Sequence, residues 1–264
     1  MHLLRWSLVF APRLVASLCA VETDFTKTGD VLDERDWVRQ QFNVSAKAGR
    51  GRYGKTFSVS NISPHGSARL GVAEQGIELR VNGAPKNDAV PGAEMDSARV
   101  DMHWGSYRAG LKLTAVRGTC AAFFWYFNDT QEIDMEFLSQ LYDAGRQLYP
   151  VNLVVQSRKS MEAGYDASRT ETFRRVNLSF DPTAGFHEYR FDYLPGRVVF
   201  YADSVKLAVM QGEEIPTNGG HLILQHWSNG DPMWSGGPPT QDALLLVSYV
   251  KAYFNSSQED GSGQ

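Results

Sequence analysis

The sequence predicts an all-β chain, a sandwich or a barrel, on three observations. Short apolar runs recur along its 264 residues, many alternating in period two and most bounded by Gly, Pro, Asn or Asp. Helical periodicity is nearly absent, apart from a possible turn at 181–185. The run Cys120 to Phe127 is apolar on both faces, which suits a central strand covered on each side. Such a pattern of many punctuated strands leaves sandwich and barrel both open.

Taken in order, Trp37 to Phe42 reads as an early strand. Phe57 to Ile62 and Gly76 to Val81 alternate cleanly, and 82–91 is a loop by its Gly, Pro, Asn and Asp content. Tyr107, Ala109, Leu111, Leu113 and Ala115 share one face opposite Arg108, Lys112 and Thr114, as in a half-buried strand. Strands at 151–156, 172–180, 188–193, 198–202, 222–227 and 244–254 complete the set. No linker, repeat or shift in composition divides the chain, and sandwiches of this length form single domains.

Hydrophobic residues make up 42% of the chain, ample for a core. A net charge of −4 argues against nucleic acid or an anionic membrane as partner, whereas an uncharged polymer needs no field. Residues 1–20 start like a secretory leader, with Arg5 and then an apolar run, although Arg13 interrupts it. A cut near Ala20 and an extracellular or cell-wall location are the expectation. The segment is too short and too charged for a membrane anchor. Residues 21–35 are then a lead-in, 36–255 the folded domain and 256–264 a polar tail. Five of the ten asparagines (Asn43, Asn61, Asn128, Asn177 and Asn255) begin Asn-x-Ser/Thr acceptor triplets, which favours secretion. The cysteines are Cys19 and Cys120, so loss of the leader leaves no internal disulfide.

The chemistry-bearing stretch is Gln131-Glu132-Ile133-Asp134-Met135-Glu136-Phe137-Leu138. On a strand, Glu132, Asp134 and Glu136 share one face and Ile133, Met135 and Phe137 the other. Three unrelieved carboxylates are a poor choice for a structural strand. Cleaving a glycosidic bond with retention needs a carboxylate nucleophile and a carboxylic acid roughly 5–5.5 Å apart. Strand residues four apart have Cα atoms roughly 13 Å apart. Two long Glu side chains leaning together close much of that gap, with the shorter Asp134 between them to hydrogen-bond one partner. Close carboxylates cannot all ionise, so one keeps its proton near neutral pH.

Glu-Ile-Asp-Met-Glu-Phe-Leu resembles the Glu-x-Asp-x-Glu signature of glycoside hydrolase family 16. His103 to Leu113 is similar to the family's strand before the catalytic one, and Phe180 to Tyr189 to a stretch of its xyloglucan transglycosylases. The resemblance runs from about Asp36 to Phe254. It implies a β-jelly-roll sandwich with a concave substrate cleft. It also implies Glu132 as nucleophile, Asp134 as helper and Glu136 as general acid/base.

A glycan cleft needs aromatic platforms and polar side chains for hydroxyls. Trp125 and Trp104 are candidate platforms, with the core as the competing place for each. In His221 to Gly230, alternation sets Ile223, Gln225 and Trp227 on one face. Gln225 and Trp227 correspond by resemblance to a substrate-lining amide and tryptophan. Trp234 sits in a turn-rich segment expected at the cleft edge. Asn152 and Gln156 share a face of an otherwise apolar strand and need polar partners; the transglycosylase branch has a similar pair. Arg99 reaches sugar hydroxyls by analogy, against the plainer reading of a surface arginine.

The expected function is a secreted retaining endo-acting glycosidase on β-glucan, β-1,3 or β-1,4 linked. A cell-wall transglycosylase uses the same acids and is the alternative; a non-catalytic, carbohydrate-binding lectin on the same scaffold is the second alternative, although a lectin has no use for a close carboxylate pair. No cofactor or catalytic metal is expected, since the histidines lack ligand spacing, and nothing requires structural calcium. The partner is a polysaccharide and the protein a monomer.

Overall fold

A computed structural model describes residues 18–27, 35–66 and 74–257. The leader reading for 1–20 falls largely on residues 1–17, outside the described residues. Two sheets form the sandwich. The nine-stranded sheet runs β12 (Phe173–Asn177), β11 (Pro150–Gln156), β10 (Gln131–Leu138), β9 (Cys120–Asn128), β16 (His221–Trp227), β7 (Ala89–Ser97), β4 (Gly54–Phe57) and β3 (Phe42–Val44). β2 (Trp37–Arg39) also pairs with β7. The eight-stranded sheet runs β15 (Val205–Gln211), β14 (Arg197–Ala202), β13 (His187–Leu194), β8 (Met102–Lys112), β17 (Ala243–Ser256), β6 (Gly76–Val81) and β5 (Ile62–His65). β1 (Leu18–Asp24) pairs with the far half of β17. Every pairing is antiparallel except β4 with β7. The strands carry the β-jelly roll that the resemblance implies.

Alternation places the core. Ile133, Met135 and Phe137 point between the sheets with Phe123, Trp125, Leu222 and Leu224. Facing them from the other sheet are Tyr107, Ala109, Leu111, Tyr189, Phe191 and Tyr193. Aromatic rings meet across the layers: Phe137 on Tyr189 at 4.7 Å, Trp125 on Tyr193 at 5.0 Å and Phe123 on Phe191 at 5.2 Å between centroids. Each such pair contributes roughly 0.5–1.5 kcal/mol beyond area burial, so together they help hold the sheets in register.

Several elements differ from expectation. Phe57 to Ile62 is not one strand, because the chain turns at 59–61 between β4 and β5. β7 begins inside the segment read as a loop; Pro91 is accommodated where β7 runs beside β4 in parallel. β15 has little alternation and is largely exposed at the edge of its sheet. A short helix, α1 (Arg158–Glu162), follows β11 and carries a capping box from Ser157 to Ser160. β1 spans the boundary expected at 20/21, and Ser256 belongs to β17 rather than to the tail.

Candidate active site

The site is built on the face of the nine-stranded sheet turned away from the core. Register across the strands sets it out in rows. Gln156, Glu132, Tyr126 and His221 form the first; Val154, Asp134, Phe124, Ile223 and Asp96 the second. Asn152, Glu136, Ala122, Gln225 and Glu94 form the third, followed by Leu138, Cys120 and Trp227. The three acids therefore share one face, with Asp134 buried and both glutamates partly open to solvent.

Their electrostatics follow from that burial. Burial pushes Glu132 up to about 7; a hydrogen bond with Asp134 pulls it back, and the charge of Glu136 adds to the push. Asp134 stands well above the usual carboxylate range, first through burial and then through Glu132. Glu136 is raised by burial, against the pull of Trp234, Cys120, Lys55 and Arg50. The cluster thus retains protons near neutral pH, and those protons belong to the group rather than to one residue.

Glu136 is gripped from two sides. The Trp234 indole N–H donates to its Oε1 at 3.1 Å, and the buried Cys120 thiol reaches the same oxygen at 3.6 Å. The loop bearing Trp234 is fixed in turn. The Met233 N–H donates to Asp231 Oδ1 at 2.8 Å, the Ser235 hydroxyl to Asn229 Oδ1 at 2.8 Å, and the Gln140 amide to the Pro232 carbonyl at 3.1 Å. Gly236 has φ +65°, and a Cβ there would lie 2.9 Å from the Gln140 amide oxygen, so this close turn requires glycine.

The structure brings Asn152, Gln156, Gln225, Trp227 and Trp234 to the acids' face. Asn152 Oδ1 accepts from Arg175 Nε at 2.8 Å, while its Nδ2 is buried without a hydrogen-bond partner; Gln156 Oε1 is likewise unpartnered. The Gln225 amide donates to Glu94. Trp227 is only 8% exposed; it packs with Phe57, Cys120 and Leu138, and the Lys55 ammonium lies 4.2 Å from its ring centroid.

Three expected site residues lie elsewhere. Trp125 is fully buried, packs on Tyr193 and donates its indole N–H to the Met102 carbonyl at 2.8 Å. Its register partner is Ile133, a core residue, so it cannot reach the cleft. Trp104 belongs to β8 in the opposite sheet, where it stacks on His103 at 4.1 Å. Arg99 pairs with Asp101 and covers the Phe254 ring of β17 at 5.0 Å, away from the acids.

Other residues of the site escape sequence reasoning. Glu94 and Asp96 stand on β7, which begins inside the stretch 82–91 whose composition predicts a loop; burial and then the charge of Glu94 push Asp96 up to about 7. Tyr126 and Phe124 hide in a run apolar on both faces, where alternation carries no signal. Lys55 is drawn below its ordinary value by burial, partly offset by the negative charges around it.

This fold and this row of acids define a class: jelly-roll sandwiches bearing a carboxylate cluster on the cleft face. Residues 50–244 match the profile of Glycosyl hydrolases family 16, and the chain belongs to that family. It is 30% identical over 139 residues to a beta-glucanase of Paenibacillus macerans, covering 50% of this chain and 52% of that protein. It is 25% identical over 188 residues to a probable xyloglucan endotransglucosylase/hydrolase of Arabidopsis thaliana, covering 69% of this chain and 51% of that one. The chain thus spans about half the length of the curated relatives it matches. In three dimensions it resembles a beta-1,3-1,4-glucanase (lichenase) derived from a mouse hindgut metagenome, with a TM-score of 0.66 and 18% identity. That likeness covers 89% of this chain and 99% of the lichenase.

Proposed function

We propose that the chain is a retaining, endo-acting glycosidase on β-glucan that works by double displacement. The observation that carries this reading is the grip of Trp234 and Cys120 on Glu136, four residues from Glu132 on the same face. In the first step a Glu132 oxygen attacks the anomeric carbon as the glycosidic C–O bond breaks, and Glu136 gives its proton to the departing oxygen. In the second, Glu136 takes a proton from water, whose oxygen displaces Glu132 and frees the sugar. The neutral Asp134 carboxyl hydrogen-bonds Glu132 in its charged form, favouring the nucleophile. The order of the family motif assigns the two roles, because burial raises both glutamates.

Gln156 and Asn152, each with an unpartnered polar atom beside an acid, suit sugar hydroxyls. The names of the relatives, beta-glucanase above all, support β-glucan as substrate. Xyloglucan endotransglucosylase relatives support the alternative, in which a sugar hydroxyl replaces water in the second step. The acceptor triplets support secretion to the extracellular space or cell wall.

The test is a product profile on lichenan, laminarin and chitin oligomers, with and without a labelled acceptor. Reducing ends alone support hydrolysis, and longer labelled products support transfer. Glu132→Gln should abolish turnover while leaving binding largely intact; unchanged product formation by this variant refutes the assignment.

A further inference from the structure

Two rims of the nine-stranded sheet touch each other. One rim is the connection between β3 and β4, residues 45–53; the other is the segment after α1. They spring from opposite parts of the nine-stranded sheet, since β3 and β4 close one end of its strand order and β11 and β12 the other. Across that span Arg50 Nη1 donates to the Gly164 carbonyl at 3.3 Å, and its guanidinium lies 5.3 Å from the Tyr165 ring centroid.

Two further observations set this contact apart from a chance surface pair. Arg50 has φ 52° and Tyr165 φ 63°, so both partners are long side chains held in left-handed backbone that such residues rarely adopt. Conformations of this kind persist where surrounding structure imposes them and gather at clamps and switches. The surroundings here do impose them. The Asn229 amide donates to the Gly49 carbonyl at 2.7 Å and the Tyr53 N–H to the Asn229 carbonyl at 2.8 Å. A Cβ on Gly51 would come within 2.4 Å of that same oxygen. On the opposite rim the Tyr165 N–H donates to the Ser160 carbonyl at 2.7 Å, behind the capping box of α1. The contact is also within electrostatic reach of the acids. The positive charge of Arg50 acts on both Glu132 and Glu136, and Tyr165 acts on Tyr126, the register neighbour of Glu132.

We infer that Arg50 and Tyr165 form a clasp roofing the cleft over the acids, which parts to admit a glucan chain and closes on it again. The pair is joined by one long hydrogen bond and one exposed cation–π contact, both individually weak, so it opens readily and is no permanent seal. Closed over a bound glycan, Tyr165 offers a flat ring and Arg50 a fork of donors to the sugar face opposite the sheet. The clasp therefore governs how fast an internal segment of polymer enters and leaves. This inference rests on the glycosidase reading.

Its test uses the full chain carrying Glu132→Gln, so that glycan binds without turnover, and compares Arg50→Ala and Tyr165→Ala against it. Stopped-flow tryptophan fluorescence with laminarin- and lichenan-derived hexasaccharides should show association and dissociation each faster by about threefold or more in both variants. Rates changed by less than about threefold in both variants overturn the clasp. Hydrogen exchange without glycan separates this result from failure of the parent reading. Tyr165→Ala should speed exchange at 46–51 while leaving 120–128 of β9 unchanged, and undisturbed exchange at 46–51 overturns the clasp as well. If the hexasaccharides do not bind to the Glu132→Gln chain at all, the β-glucan reading falls, and the exchange result alone decides whether the rims are coupled.

Discussion

The Trp234 indole N–H and the Glu136 Oε1 meet at 3.1 Å, although the residues lie 98 positions apart in the chain. A hydrogen bond to a charged acceptor contributes about 1.5–3 kcal/mol and favours the ionised acid. Trp234→Phe keeps the ring and removes the donor. The Glu136 pKa then rises, so the alkaline limb of kcat/KM moves up by about one pH unit while kcat falls. A pH–rate profile of both proteins checks this, and an unmoved alkaline limb would count against Glu136 as the acid.

Asp96 gives a stability prediction whose sign is fixed by burial. Burial, and then the charge of Glu94, pushes its carboxyl in the folded protein up to about 7, above its ordinary value of 3.8. The folded state therefore holds more protons than the unfolded state between those values, and stability falls as pH rises through that window. Asp96→Asn removes the penalty. Its melting temperature should exceed the wild type's at pH 8, by an amount reflecting roughly 2–4 kcal/mol, and match it near pH 3. Thermal melts at both pH values decide the matter.

Trp125 separates core from cleft by experiment. Trp125→Phe loses the hydrogen bond to the Met102 carbonyl and part of the packing on Tyr193. Stability should drop by about 2–3 kcal/mol with KM unchanged. A raised KM with full stability would return this residue to the sugar.

Asn61 heads an acceptor triplet yet is buried, its amide donating to the Arg80 carbonyl and to Asn82 Oδ1, both at 3.0 Å. A glycan there would replace one amide hydrogen, cost at least one of these bonds and need space that the buried site lacks, whereas Asn43 and Asn177 are exposed. Mass spectrometry of the chain expressed through a eukaryotic secretory route should find Asn61 bare and glycan at Asn43 or Asn177.

Much of this arrangement was legible from the chain because the acids and the core residues beside them alternate strictly. Ile133, Met135 and Phe137 point where period two says, as do Ile223, Gln225 and Trp227. Legibility failed where alternation failed. β9 is apolar on both faces, so nothing in the run Phe123 to Phe127 tells which ring faces the acids, and Trp125, a candidate for cleft or core alike, lies in the core. β7 was hidden by Pro91 and Gly92, which punctuate most chains but here sit beside β4. Lys55, Arg50 and Tyr165 belong to neighbouring or crossing segments whose meeting depends on the folded path of distant loops, which no local pattern records.

The irregularity in pairing at Gln131 and Glu132 sets the parity of everything downstream on β10. Because successive side chains swap faces, adding or deleting one residue between Asn128 and Glu132 without a compensating bulge would invert this site, not adjust it. Ile133, Met135 and Phe137 would line the outer face of the sheet, and three carboxylates would be driven into the hydrocarbon between the sheets. Length changes in this hairpin that neither the turn nor a bulge absorbs are therefore tolerable only in steps of two, and a library randomising that turn should return survivors that keep the facing of Glu132.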